Sequence, residues 1–338
     1  PSYIKNISIK RFYSHYVFGK NLKKYLKERT KPDVILCAVP SLDAGFAAAK
    51  YCKKNSIVFI ADIQDIWPEA FKLIFNVPIL KDIIFAPFSY KAKYIYKNAG
   101  KIVAVSKTYL EVGLNANVAK KDGYVIFLGT DLTAFDAAAA SSDIQKTENE
   151  FWIAYAGTLG HSYNINIISE AIAILNEKGY NNIVFKVLGD GPLMQDFIAL
   201  AKEKAIKADF LGRLPYKDMI GYLKAADIAV NPINKGAAQS IINKHADYAA
   251  AGLPVVNTQE SLEYRELLKD YGFGINAENA SECAAAIETL INNETLRKEM
   301  GAGSRKLAED KFDRAKTYKQ FLDILQVKKE GSAEDVYK

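Results

Sequence analysis

At 338 residues the chain exceeds what one hydrophobic core usually organises, so two domains are expected. With 49% hydrophobic and 25% charged residues the composition suits a globular enzyme, and no window approaches the ~18 uninterrupted apolar residues of a membrane-crossing helix. Three cysteines, Cys37, Cys52 and Cys283, lack metal-ligand spacing and fit a reducing compartment better than a disulfide framework.

The net charge of +6 is unevenly placed: residues 1–30 carry eight Lys/Arg against Glu28, a local +7 that leaves −1 for the rest. In RFYSHYVFGKNLKKYLK the basic residues alternate with Phe12, Tyr13, Tyr16, Phe18 and Tyr25. Two readings stay open, an interfacial helix for an anionic membrane surface or a solvated helix whose aromatics pack on its own domain. No nucleic-acid-reading motif accompanies the charge, so nucleic acid is not an expected partner.

DVILCAV (33–39), SIVFIAD (56–62) and KIVAVS (101–106) read as buried strands, being continuous, β-branched and ended by polar or turn residues. The segments between them have helical composition, and strand–helix alternation implies a parallel sheet covered by helices. The aromatics of residues 71–96 are interleaved with lysines and read as core, or in part as a greasy acceptor path. Asp62 and Asp65 read as an ordinary strand-end pair, and no metal site is expected. Residues 129–150 are small, polar and without period, as a linker should be. The alternation then restarts with FWIAYAG (151–157) and NIVFKVLG (182–189), and continues through the strands DFLG (209–212) and DIAVNP (227–232).

Open sheets of this kind bind ligands at the carboxyl ends of their strands, so chemistry is sought at the strand exits. Four converge on one theme. AGTLGHSYNI places Gly157, Thr158, Leu159, Gly160 and His161 where backbone N–H groups can approach a phosphate, although such a turn is common in any strand-to-helix connection. VLGDGP supplies Gly189, Asp190 and Gly191, which a structural turn explains equally well. FLGRLPYKDM supplies Arg213 and Leu214, and NPINKGAAQSIINKHADYAAAGLPVV supplies Gln239, Asn243, Lys244 and Asp247. Lys244 and Asp247 share a helix face, where a cation can neutralise a diphosphate and a carboxylate can accept from two sugar hydroxyls.

In this order the four exits resemble the donor half of the family 4 retaining glycosyltransferases, within the branch that builds bacterial capsule and O-antigen polysaccharides. KPDVILCAVPS, FIADIQDIWPEAF and KIVAVSK add resemblance in the first half, and the likeness spans residues 10 to about 325. It implies an α/β fold of two facing Rossmann-like doubly wound domains (GT-B type). Residues 1–148 would form the acceptor side, including the linker 129–150; residues 151–311 would bind the donor; 312–338 would be a helix packing back on the first domain. It implies a nucleoside-diphosphate sugar as donor, no required cofactor or obligatory metal, retention of anomeric configuration, and a lipid-linked glycan acceptor. The expected location is cytoplasmic, peripheral on the inner face of the plasma membrane.

Residue by residue, the family's pair of glutamates eight positions apart is represented by Gln239 and Asp247, so the expected ribose contact is Asp247 and the sugar contact is neutral. No basic pair follows the first strand of the donor half; His161 stands there, leaving Lys244 as the expected ligand of the leaving diphosphate. Gln64 occupies the place of a histidine in the first half, which leaves Asp65 and Glu69 as the catalytic-side carboxylates. The PDVILCAVPS strand, preceded in the family by several strand–helix units, begins at residue 32, so the start of the first domain is expected to be missing. Two other functions share the architecture: a nucleotide-sugar epimerase and a non-catalytic nucleotide-sugar-binding protein.

Overall fold

The computed structural model describes residues 8–69, 78–117, 122–237 and 241–326. Two compact units are formed, Pro1–Phe127 with Tyr318–Lys338, and Leu128–Thr317.

In the first unit the order is α1 (Ile9–Glu28), β1 (Val34–Val39), α2 (Leu42–Asn55), β2 (Val58–Ile63), α3 (Pro78–Asn98), β3 (Lys101–Ala104), α4 (Lys107–Ala116) and β4 (Gly123–Val125). Serine starts three of these helices: the hydroxyls of Ser8, Ser41 and Ser106 accept from the backbone N–H of Arg11, Ala44 and Tyr109, satisfying otherwise orphaned donors. The strands lie parallel in the order β1-β2-β3-β4. Val39 pairs with Ile63 and Ile63 with Ala104, so the first three strands end at one level. A C-terminal helix, Lys319–Leu325, adds Ile324 to a small core with Ile60, Val103 and Ile126.

The second unit runs α5 (Leu132–Ala140), β5 (Phe151–Ala156), α6 (Ile165–Glu177), β6 (Ile183–Leu188), α7 (Met194–Glu203), β7 (Ala208–Gly212), α8 (Tyr216–Ala225) and β8 (Ile228–Asn231). It continues with α9 (Asn243–Ala251), β9 (Val255–Asn257), α10 (Leu262–Tyr271), β10 (Gly274–Asn276), α11 (Ala280–Asn292) and α12 (Glu294–Leu307). Every residue of β5 and β6 is buried, which is why these strands read as unbroken apolar runs. The parallel order β10-β9-β8-β5-β6-β7 reverses direction between β5 and β8, and that reversal opens a crevice at the carboxyl edge. The turn after β5 and the connection after β8 flank it.

The expected linker 129–150 is in part a helix. Asp131 caps α5 by accepting from Ala134 N–H, and Leu132 and Phe135 bury one side. Asp136 then takes a two-pronged contact from Arg305, with both N···O distances 2.7 Å, and Thr130 N–H donates to Phe312 O at 2.8 Å. These contacts tie residues 128–150 into the second unit, and the division falls at Phe127/Leu128 and again at Thr317/Tyr318.

Candidate functional site at the β5 and β8 exits

The turns after β5 and β6 are interlocked. Gly157 N–H donates to Leu188 O at 2.9 Å, Leu159 N–H to Asp190 O at 3.0 Å, and Leu193 N–H to Leu159 O at 3.1 Å. A Cβ on Gly189 would stand 1.8 Å from Gly157 O, and one on Gly191 would stand 2.2 Å from Leu159 O. Glycine at 189 and 191 is therefore demanded by the neighbouring turn, and Asp190 spends an oxygen on Gly191 N–H at 2.7 Å. Leu159 is a core side chain. Thr158 is exposed, and among the described residues the N–H groups of Thr158 and Gly160 have no acceptor. His161 is exposed, with its carbonyl accepting from the Asn234 side chain at 2.7 Å.

The cation arrives from α9. Lys244 is only 7% exposed, yet among the described residues Nζ has neither hydrogen-bond nor ion-pair partner. It lies 3.9 Å from the centre of the Tyr163 ring and 4.3 Å from that of Tyr155. A Cβ on Gly157 would stand 3.4 Å from it, so the amine sits directly against the β5 exit turn. Burial alone holds its pKa well below the usual lysine range. Tyr155 is fixed in turn, its hydroxyl donating to Thr158 O at 2.8 Å. The Tyr248 hydroxyl accepts from Ala156 N–H at 2.8 Å and anchors α9 to the end of β5.

His245 is 1% exposed and stacks on Tyr264 with ring centres 3.8 Å apart. Its Nδ1 accepts from Ile242 N–H at 3.3 Å, which places any neutral-state proton on Nε2, an atom with no partner. Burial, and then the neighbouring Lys244, push its pKa well down. Asp247 is half-buried and accepts from the Tyr216 hydroxyl at 2.7 Å, with Thr130 hydrogen-bonded to the same hydroxyl at 2.8 Å. Burial raises the Asp247 pKa, against the opposing pull of its hydrogen bonds to Tyr216 and Thr130. Asn243 and Arg213 are exposed and Leu214 is half-buried; Gln239 lies outside the described residues.

Three neighbouring strands each end in asparagine. The Asn231 carboxamide donates to Asn257 Oδ1 at 2.8 Å, and Asn257 donates to Asn276 Oδ1 at 2.8 Å. Thr258 then accepts from Ile233 N–H at 2.9 Å, which pins the start of the loop after β8.

The polar exits of the first unit are arranged differently. Both Asp65 oxygens are engaged, one by Ile66 N–H at 2.9 Å and the other by the Trp67 indole N–H at 3.0 Å. Asp62 is buried and accepts from Gln64 at 2.9 Å. Trp67 is sealed by His15, stacked at 5.3 Å, and by the Arg11 guanidinium 4.4 Å from its ring. Asp65 thus braces a turn, whereas Glu69 is exposed and lines a cavity of about 420 Å³ with Ser89, Lys93, Tyr96 and Asn115.

The expected donor residues that the structure brings into direct contact are Gly157 with Lys244 and with Gly189, and Leu159 with Asp190 and Gly191. Tyr155, Tyr163, Tyr216 and Thr130 were not expected. The signal for the first two lay in YAGTLGHSY, where a tyrosine stands on each side of the glycine turn.

Residues 137–307, half of the chain, match the family described as glycosyl transferases group 1. The Staphylococcus aureus protein CapJ is 25% identical over 248 residues, covering 72% of this chain and 59% of its own. A Campylobacter jejuni enzyme is 25% identical over 181 residues, 53% of this chain and 48% of its own. Its name is GalNAc-alpha-(1->4)-GalNAc-alpha-(1->3)-diNAcBac-PP-undecaprenol alpha-1,4-N-acetyl-D-galactosaminyltransferase. The chain thus spans about half to three fifths of the length of these curated relatives. Among solved structures, Anabaena Alr3699/HepE in complex with UDP superposes with a TM-score of 0.69 at 15% identity, over 91% of this chain and 82% of that one. That likeness is one of fold. On the family match, the chain belongs to the group 1 glycosyl transferases.

Proposed function

We propose that this protein transfers a sugar from a nucleoside-diphosphate donor to a lipid-linked glycan, with retention of anomeric configuration, in the assembly of a capsule or O-antigen polysaccharide. The observation that carries the donor assignment is the buried, unpaired Lys244 amine against the Gly157 turn, at the crevice where the sheet order reverses. In this reading the diphosphate meets Lys244 and the N–H groups of Thr158 and Gly160, whose fixed dipoles stabilise the leaving group. Asp247 accepts from the ribose hydroxyls, His161, Asn243 and Arg213 complete the donor surroundings, and Glu69 serves the acceptor side. No cofactor beyond the donor is required.

Support for the acceptor class comes from the name of the Campylobacter relative, which acts on a PP-undecaprenol glycan. Support for peripheral binding to an anionic membrane comes from α1. Ile9, Tyr13 and Tyr16 recur at helical spacing on one face and are 88%, 59% and 57% exposed, with Lys20, Lys24 and Lys27 continuing that face. Among the described residues no helix is long and apolar enough to cross a membrane.

The test is transfer from a panel of nucleoside-diphosphate sugars to undecaprenyl-diphosphate oligosaccharides in anionic vesicles, with a chelator present and product anomers read by NMR. Donor binding without transfer to any acceptor would favour the non-catalytic alternative, and epimer formation without acceptor would favour the epimerase.

A further inference from the structure

Lys244 combines features that a structural lysine would not retain. An ammonium carries three N–H donors and no acceptor, so burial without a partner selects strongly against the charged form. Nζ is sealed, among the described residues no carboxylate stands within ion-pair distance, and it lies over the faces of Tyr155 and Tyr163. Ring faces attract a cation but cannot accept its hydrogen bonds as oxygen does.

The titratable groups around it are accounted for. Tyr155 faces it from β5 and Tyr163 from the turn that follows. On its own helix, His245 is stacked on Tyr264, Tyr248 is bound to Ala156, and Asp247 is engaged by Tyr216. Of the elements packed on α9, α8 and α12 send Lys224 and Arg305 to the carbonyls of Ala251 and Ala250, at the opposite end of the helix. In the turn Ala308–Phe312, Glu309 is taken by Arg305 and Asp310 by the Tyr271 hydroxyl.

We infer that Tyr155 and Tyr163 are positioning residues that hold the Lys244 amine unpaired against the Gly157 turn, and that the arriving diphosphate converts it to an ammonium, so donor binding takes up a proton from solvent. The proton goes to Nζ, whose lone pair forms the new N–H bond; the resulting cation gains phosphate oxygens as acceptors while keeping the two ring faces. The lowered pKa of the empty site agrees with this, its cause being burial alone. The inference rests on the donor reading above, which assigns the crevice to a diphosphate but is silent on protonation.

The experiment is titration calorimetry of the full chain with UDP, GDP and ADP at pH 8, in buffers of differing ionisation enthalpy. For the nucleotide that binds, the apparent enthalpy is expected to depend on buffer with a slope approaching one proton taken up. In Lys244→Met the slope should vanish and affinity fall by about tenfold or more. Tyr163→Phe should keep both properties, whereas Tyr163→Leu should lose affinity by about threefold to tenfold. Lys244→Met is expected to melt no lower than the parent, because it removes a buried amine without a partner. A drop of several degrees would reveal a structural partner for Nζ and overturn the premise. Nucleotide binding with buffer-independent heat would overturn the proton uptake while leaving the donor reading in place. Absence of binding by all three nucleotides would overturn the donor reading and this inference with it.

Discussion

The strand exits of the two units carry similar residue types and use them in opposite ways. At the β2 exit, Asp62 and Asp65 are half or wholly buried, and each is answered from within a few residues, by Gln64, Ile66 and Trp67. At the β5 and β8 exits, Lys244 is as deeply buried as Asp62 and His245 more so, and among the described residues each leaves a nitrogen unanswered. A buried polar atom without a partner costs about 1–3 kcal/mol, so two side by side mark a place where something other than stability is served. Residue type at a strand end does not separate a brace from a ligand site; the tally of partners does.

That contrast can be broken in four ways. The largest effect is expected from Gly189→Ala, whose new Cβ would meet Gly157 O at a backbone φ of +153°. Overpacking and strain together should destabilise the second unit by about 2–5 kcal/mol in urea unfolding. A loss below about 1 kcal/mol would mean that the two turns are free to part. Next, Lys244→Ala should weaken diphosphate binding by about 2–3 kcal/mol while leaving nucleoside binding almost unchanged. An equal loss for both ligands would remove the phosphate role.

Asp65→Asn turns an amide N–H toward the Trp67 indole or the Ile66 N–H, and should cost roughly 1–3 kcal/mol of stability with no change in nucleotide affinity. Altered affinity would make this carboxylate more than a brace. The smallest effect is a slope. Burial holds His245 neutral in the folded chain, so as pH falls below 6.5 the unfolded chain binds a proton that the folded one does not. Stability is then lost with falling pH, by at most about 1.4 kcal/mol per pH unit, until the folded histidine itself titrates. His245→Phe should flatten that segment of the stability curve. Lys244 acts in the same sense at higher pH: stability rises from its lowered folded pKa toward 10.5, where the unfolded lysine loses its proton.

The sheet of the second unit was largely legible, because fully buried parallel strands such as Phe151–Ala156 appear as unbroken apolar runs. The strands Gly123–Val125 and Gly274–Asn276 were missed, since each opens on glycine and offers a single β-branched or aromatic pair at most, whereas the equally short Val255–Asn257 is marked by its Gly-Leu-Pro entry and two valines. Helix α5 was hidden because its buried side is only Leu132 and Phe135 within a run of alanines, too little to reveal a period. At the site, the residue types were readable, but their status was not. Gly157 and Lys244 are far apart in sequence and meet only because β8 inserts beside β5. That Gly189 answers a neighbouring carbonyl, or that Asp65 has spent both oxygens, is visible only once the distances are known.

The row of asparagines across β8, β9 and β10 has a further consequence. Carboxamides do not ionise at any pH a protein survives, and hydrogen bonds between them respond little to ionic strength. With the equally neutral Thr258 hydroxyl that pins the start of the loop after β8, they hold that frame across the whole range in which Lys244 and His245 change charge. The crevice pairs a neutral scaffold with a titrating probe, so a change in pH can alter the charge offered to a ligand without altering the frame that offers it.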